Sequence, residues 1–337
     1  MLEPLIAALL GLLATYSFIK RVVMRAFPNW GIVGMDVHKP DRPNIPEMGG
    51  VAFLVGITVY VVAAALMGVA TIELLSIFLT IIVAGAIGIA DDVFKLSKRT
   101  KPALCALAGL PIVLIGTYPQ DLILPLSVSF HIPVLYALLV PVALAVTTNA
   151  INMFDVMNGV ASGSSLIILL SLVVTWFVKC LLVGGTDAAA IVGGTLMALP
   201  PLAVLFYFNR YPSKIFLGDT GTLASGATIG AFAIVYGVEF PAVVAMMVPI
   251  TNAFFSLFSH GGLFERSELR ERPILIEADG RLSSNPSSRA PLTLTKIMLL
   301  LGYDREKDVY AGFMHLTLAT AAASVLSGIL IWGVRLL

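Results

Sequence analysis

Charge is scarce in this chain. Only 12% of its 337 residues are Asp, Glu, Lys or Arg, where an ordinary soluble domain carries about a quarter. With 58% hydrophobic residues set in long uncharged runs, that shortage excludes a soluble enzyme and makes the chain a polytopic helical membrane protein. Strict alternation of polar and apolar residues is also missing, which excludes a transmembrane β-barrel. The net charge is +1, and no basic stripe carries interleaved aromatics, so nothing speaks for nucleic acid as a partner. Cysteine is nearly absent. Cys105 and Cys180 fall within apolar runs without metal-ligand spacing, and both read as core thiols rather than a disulfide. No repeat period or low-complexity segment stands out, so the chain reads as a single transmembrane catalytic domain, 1–337. The N-terminus lacks a cationic leader and a small-residue cleavage site. Its first apolar run, Pro4 to Ile19, therefore reads as a retained span.

What the chain does have is a succession of apolar segments. We expect an all-α fold with about ten transmembrane helices, at roughly 3–20, 50–69, 73–90, 103–118, 133–149, 162–184, 187–207, 222–237, 239–258 and 312–334. Of 21 Lys and Arg, 19 follow odd-numbered segments; Lys179 and Arg335 alone fall on the other side. The positive-inside bias then puts the odd-to-even loops in the cytoplasm and both termini outside the cytoplasm. The longest polar segment, 259–311, becomes a cytoplasmic substrate-binding loop. Within it, Ile274 to Leu282 reads as a small β-hairpin turning at Asp279-Gly280.

The rare charges collect on that face. Asp91 and Asp92 end a run, Leu74 to Ala90, that carries no charge. Adjacent carboxylates repel unless a cation neutralises them, so the pair points to chemistry on a metal-bound anion. Lys95 and Lys101 follow. Loop 1, Gly34 to Gly50, carries Asp36, Lys39 and Glu47 among three prolines and reads as a stiffened connector. Asn149, Asn152, Asp155 and Asn158 recur every third residue; on a helix they would form a slowly drifting polar stripe able to bind a cation or a nucleobase. Asp219 lies between Gly218 and Thr220-Gly221. It reads either as a helix cap or as a metal ligand where glycines let phosphate approach the backbone. Arg270 and Arg272 flank Glu271. Paired guanidiniums suit a diphosphate, although a solvated loop would look the same.

Taken in order, DDVFKL, NAINMFDVMNG and FLGDTG resemble the signature motifs of the polyprenyl-phosphate N-acetylhexosamine-1-phosphate transferases. The resemblance runs from about Gly34 to Arg272. Bacterial members that use a muramoyl-pentapeptide donor carry a His-rich motif in the last cytoplasmic loop, where this chain has only His260. NIPE in loop 1 and the Arg270-Glu271-Arg272 cluster are similar instead to the dolichyl-phosphate N-acetylglucosaminephosphotransferase branch, whose Arg-His-Arg is broken here by Glu271. The modest length resembles an archaeal member.

The resemblance implies a ten-span fold and transfer of N-acetylglucosamine 1-phosphate from UDP-GlcNAc to a polyprenyl or dolichyl phosphate, with release of UMP. That is the first step of lipid-linked oligosaccharide synthesis for N-glycosylation. It implies Asn152 and Asp219 as ligands of Mg2+, with Mn2+ as a substitute, and Asp91, Asp92 and Lys101 as catalytic residues. Glu47 and Phe216 match positions near the nucleotide, Asn158 the position near the uracil, and Arg270 and Arg272 the cations on the diphosphate. Membrane placement and a homodimer are further expectations. Two alternatives stand beside this reading: another UDP-N-acetylhexosamine for cell-envelope glycans, and a secondary transporter, whose polar groups would lie near the bilayer midplane.

Overall fold

The computed structural model describes residues 2–39, 41–97, 99–184, 188–259, 271–277, 279–287 and 289–333. Helix covers each apolar segment: Leu2–Phe18, Gly50–Leu66, Ile72–Phe94, the interrupted stretch 100–115, Pro133–Met153, Val160–Val183, Ala188–Asn209, Gly218–Val235, the pair Glu239–Ala245 and Met247–Phe258, and Glu306–Gly333. Among the described residues, six helices are long and apolar enough to cross a membrane, and the bent pair would make a seventh. The shorter helices do not meet that measure by themselves.

Gly218–Val235 forms the centre: Thr220 through Ile234 are all buried. Its sequence, GDTGTLASGATIGAFAIV, is rich in small residues, and small residues let backbones touch. A Cβ on Gly50 would lie 2.1 Å from the Gly221 nitrogen, and one on Gly88 would lie 2.5 Å from the Thr220 Cα. Gly226 approaches the Thr147 carbonyl in the same way, at 2.5 Å from its would-be Cβ. Lipid supplies no hydrophobic push between helices, so close packing of this kind takes its place. These approaches bring the ends of Ile72–Phe94 and Pro133–Met153 beside the start of the central helix. At its other end, Lys179 Nζ donates to the carbonyls of Tyr236 (2.9 Å) and Gly237 (3.0 Å). A cation on the last carbonyls of a helix complements its dipole, which accounts for one of the two cations outside the expected cytoplasmic loops.

The fold is mostly, not wholly, helical. The expected hairpin forms from β-strands Ile274–Ile276 and Leu282–Ser284, with Glu277 N donating to Arg281 O (2.8 Å) and Gly280 at φ +79°. Two further hairpins were not anticipated: Val33–Met35 with Asn44–Pro46 in loop 1, and Asp121–Ile123 with Ser129–His131. Strands of three residues are too short for a polar alternation to show in the sequence.

Two helical expectations need correction. The polar stripe is broken, because the helix stops at Met153 and residues 154–159 form a corner; Asp155 and Asn158 have left the helix face that Asn149 and Asn152 share. Pro249 and Asn252 near the end of the ninth segment predict a kink there, yet the bend lies earlier. Glu239–Ala245 and Met247–Phe258 meet at 63° across Met246. Asn252 is a tie instead: its Nδ2 donates to Met153 O (2.9 Å), and its Oδ1 accepts from Leu294 N (3.3 Å).

Candidate active site

Asp91 and Asp92 are adjacent on a helix, so their side chains diverge by about 100° and reach different partners. Asp92 turns to the central helix. Its Oδ1 accepts from Asp219 N (2.8 Å), and its Oδ2 accepts from Thr220 N (3.0 Å) and Thr220 Oγ1 (2.6 Å). Leu217, at the N-cap, has no polar side chain, so Asp92 caps this helix from a neighbour. Asp92 is therefore placed to position the start of the central helix, with both carboxylate oxygens committed to it.

Asp91 turns the other way. Its Oδ1 accepts from Leu96 N (2.7 Å), and its Oδ2 pairs with Lys101 Nζ (2.8 Å). Lys101 Nζ also lies 3.0 Å from Asp219 Oδ1. The Asp91 and Asp219 carboxyl groups are within hydrogen-bonding reach of each other. The carboxylate pair that calls for a cation is thus Asp91 with Asp219, and Lys101 bridges it. Lys101 thus sets its ammonium between two carboxylates.

Asn152 completes this cluster. Its Nδ2 donates to Asp219 Oδ1 and to Thr222 Oγ1, the latter at 2.8 Å. Asp219 and Asn152 therefore converge on one point, and the Asp219 side chain keeps 29% exposure. An accessible carboxylate with a second, Asp91, close by suits a magnesium ion, which the Asn152 amide would bind through its oxygen rather than the nitrogen now facing Asp219.

Loop 1 closes a further side. Phe216 N donates to Pro46 O (2.8 Å) and Gly49 N to Phe216 O (2.8 Å), which ties the loop-1 hairpin to the segment leading into Asp219. A Cβ on Gly34 would lie 2.9 Å from the Phe216 ring and 3.4 Å from the Glu47 carboxyl carbon, so Glu47 and Phe216 stand side by side. Burial, then Asp92 and Asp219, raise the Glu47 carboxyl above its ordinary pKa, with Lys95 acting against them.

Asn158 and Arg272 lie elsewhere. Asn158 is buried with its amide spent inside the protein: Nδ2 donates to Asp36 Oδ2 (3.0 Å) and its backbone N to Glu306 Oε1 (3.2 Å). Its side chain faces loop 1 rather than an open cleft. Arg272 is exposed beside the hairpin, where its carbonyl accepts from Asn285 Nδ2 (2.9 Å). Arg270 lies outside the described residues. Thr220 stands in the sequence only as the residue after Asp219, and Thr222 and Glu306 draw no attention there. Thr222, three residues beyond Asp219, could have been suspected as its neighbour, whereas Glu306, 148 residues beyond Asn158, carried no signal.

The model of glycosyl transferase family 4 matches residues 74–237, which hold Asp91, Asp92, Lys101, Asn152, Asn158 and Asp219. A Saccharolobus solfataricus protein provisionally named UDP-N-acetylglucosamine–dolichyl-phosphate N-acetylglucosaminephosphotransferase is 29% identical over 311 residues, covering 90% of this chain and 92% of the relative. A provisionally named glycosyltransferase of Methanocaldococcus jannaschii is 31% identical over 249 residues, 74% of this chain and 73% of its own length. The phospho-N-acetylmuramoyl-pentapeptide-transferase of Clostridium botulinum is 30% identical over 208 residues, covering 58% and 60%.

Proposed function

We propose that this chain, which belongs to glycosyl transferase family 4, transfers N-acetylglucosamine 1-phosphate from UDP-GlcNAc to a polyprenyl (dolichyl) phosphate and releases UMP. The observation that carries this reading is the Lys101 ammonium set between Asp91 and Asp219, with Asn152 beside it, at the ends of apolar helices. A transporter would place such groups at mid-membrane on broken helices. Here Asp91 and Asp92 lie in the last turn of Ile72–Phe94, and Asp219 in the first turn of the central helix.

An oxygen of the lipid phosphate attacks the phosphorus that bears the sugar. A new P–O bond forms to it, the bond from that phosphorus to the oxygen bridging to UMP breaks, and UMP leaves. Phosphoryl transfer asks a protein mainly for positioning and charge neutralisation. Lys101 faces the charge that grows on the phosphates, and Asp91 holds its ammonium in place. A phosphate monoester is already largely ionised at neutral pH, so strong base catalysis is not required. Asp219 and Asn152 would hold Mg2+, which when bound neutralises diphosphate charge. Asp92 acts at one remove, by fixing the first turn of the central helix and with it Asp219.

Further parts of the reading concern the membrane. All ten helical segments cross or re-enter the bilayer, the cation-rich loops face the cytoplasm, and both termini lie on the opposite side. The acceptor chain enters along Met247–Phe258, whose Phe254 and Phe258 are 50% and 70% exposed and pack ring to ring at 4.2 Å. The product would begin a lipid-linked oligosaccharide for N-glycosylation, in line with the name of the Saccharolobus relative.

A panel of UDP-sugars with one dolichyl phosphate tests the donor. UDP-GlcNAc is expected to release UMP faster than UDP-GalNAc or UDP-glucose by at least about tenfold, a margin typical where a site hydrogen-bonds a particular substituent. Preference for a muramoyl-pentapeptide donor, or for UDP-GalNAc, would move the chain to a different branch of the family.

A further inference from the structure

The loop-1 hairpin spans the distance between two parts of the site. Its base is tied to Phe216, beside Asp219. Its other end holds Asp36, whose backbone N donates to Pro43 O (3.0 Å) across the hairpin. Asp36 accepts from Asn158 Nδ2 (3.0 Å) and pairs with Lys39. Lys39 Nζ in turn lies 3.5 Å from Glu306 Oε2 and 5.3 Å from the centre of the Tyr211 ring. Glu306 Oε1 accepts from Asn158 N (3.2 Å), which closes the circuit. Loop 1, the 154–159 corner and the first turn of the last helix are thereby joined through side chains that are 2% (Asp36), 6% (Asn158) and 6% (Glu306) exposed.

Surface ion pairs contribute little, but breaking a buried network leaves its remaining members uncompensated. Burial would raise the Asp36 carboxyl, yet hydrogen bonds from Lys39 and Asn158 outweigh it and keep Asp36 below its ordinary pKa. Lys39 is held above its own, with Asp36 and Glu306 outweighing burial. Asp36, His38 and Glu306 also bring three potential metal-ligating atoms together. Lys39 already supplies the cation there, so the cluster works as an internal latch.

We infer that Glu306 is a positioning residue that, through Lys39 and Asn158, latches the loop-1 hairpin to the 154–159 corner and thereby sets the affinity for the donor nucleotide. Both latched parts flank the Asp219 cluster: the hairpin leads directly into Glu47, and the corner begins two residues after Asn152. Glu306 needs no contact with the reacting atoms, because it fixes the two segments that carry these residues. The inference rests on the donor assignment above.

The test is donor binding by calorimetry on purified protein, with kcat and KM measured beside it. Glu306→Ala is expected to raise the Kd and KM for UDP-GlcNAc about tenfold, with kcat at saturating donor within about threefold, as loss of uniform binding requires. Glu306→Gln keeps an acceptor for Asn158 N and should fall between Glu306→Ala and wild type. Lys39→Met with Glu306→Gln should cost less than the sum of the two singles, because both remove one contact. If Glu306→Ala does not fold, Glu306→Gln and Lys39→Met carry the measurement. Unchanged donor Kd in the folded variants, or a fall in kcat at unchanged KM, would overturn the latch while leaving the reaction intact. A wild-type protein that binds no UDP-GlcNAc would overturn the donor assignment, and the latch's role with it.

Discussion

Asp219→Ala is expected to lower turnover by about 10²–10³-fold, the usual cost of losing an electrostatic contact made to the transition state. The size follows from what the side chain does. One oxygen, Oδ1, receives both the Lys101 ammonium and the Asn152 amide nitrogen, and the side chain keeps 29% exposure, open to the divalent cation proposed above. Alanine would leave Lys101 with Asp91 alone and Asn152 with Thr222 alone. The fold should survive, because the central helix is capped by Asp92 and not by Asp219. The two effects can be read separately, as UMP release at saturating substrates and as the melting temperature in detergent. More than about a tenth of wild-type activity in a folded variant would contradict the assignment, since that loss is smaller than such contacts ordinarily cause.

Lys101→Ala should impair turnover by about 10²-fold or more for a related reason. Lys101 bridges two carboxylates, Asp91 at 2.8 Å and Asp219 at 3.0 Å. Without it, two carboxyl groups within hydrogen-bonding reach would face each other unneutralised, and the charge opposite the reacting phosphates would be gone. Arg99 supplies the comparison. It is exposed and stands two residues away, and no carboxylate pairs with it among the described residues. Arg99→Ala is expected to change kcat by less than about threefold, the mild effect usual for an exposed charge away from such contacts. Equal losses in the two variants would show that the loop contributes only bulk positive charge.

Much of this arrangement was legible in the sequence because the membrane makes charge expensive. A carboxylate at the end of an apolar run needs a reason, which marks Asp91 and Asp92, while the glycines beside it mark Asp219. Residue order along the chain could not show which partners they choose. Asp91 and Asp92 read as one pair, yet helix geometry sends them to different elements, and the true carboxylate partners are Asp91 and Asp219, 128 positions apart in sequence. The Asn-rich stretch was legible as polar but not as a corner. A spacing of three looks helical whether or not the helix continues, and this one ends at Met153. Glu306 was not legible at all. A single acid at the start of a helix is ordinary, and only the fold brings it to Asn158 and Lys39. The three-residue strands of loop 1 escaped for want of length, although the prolines around them rightly marked a fixed, non-helical loop.

In the proposed reaction the Asp91–Lys101–Asp219 cluster moves a sugar phosphate between two phosphates. The most direct measurement is UMP release by purified protein given UDP-GlcNAc, with and without polyprenyl phosphate. UMP is expected in step with a lipid-linked GlcNAc diphosphate, only when the lipid phosphate is present, and is expected to be lost in Asp219→Ala. Release of UMP without the acceptor, or none from any UDP-sugar with the acceptor present, would contradict it.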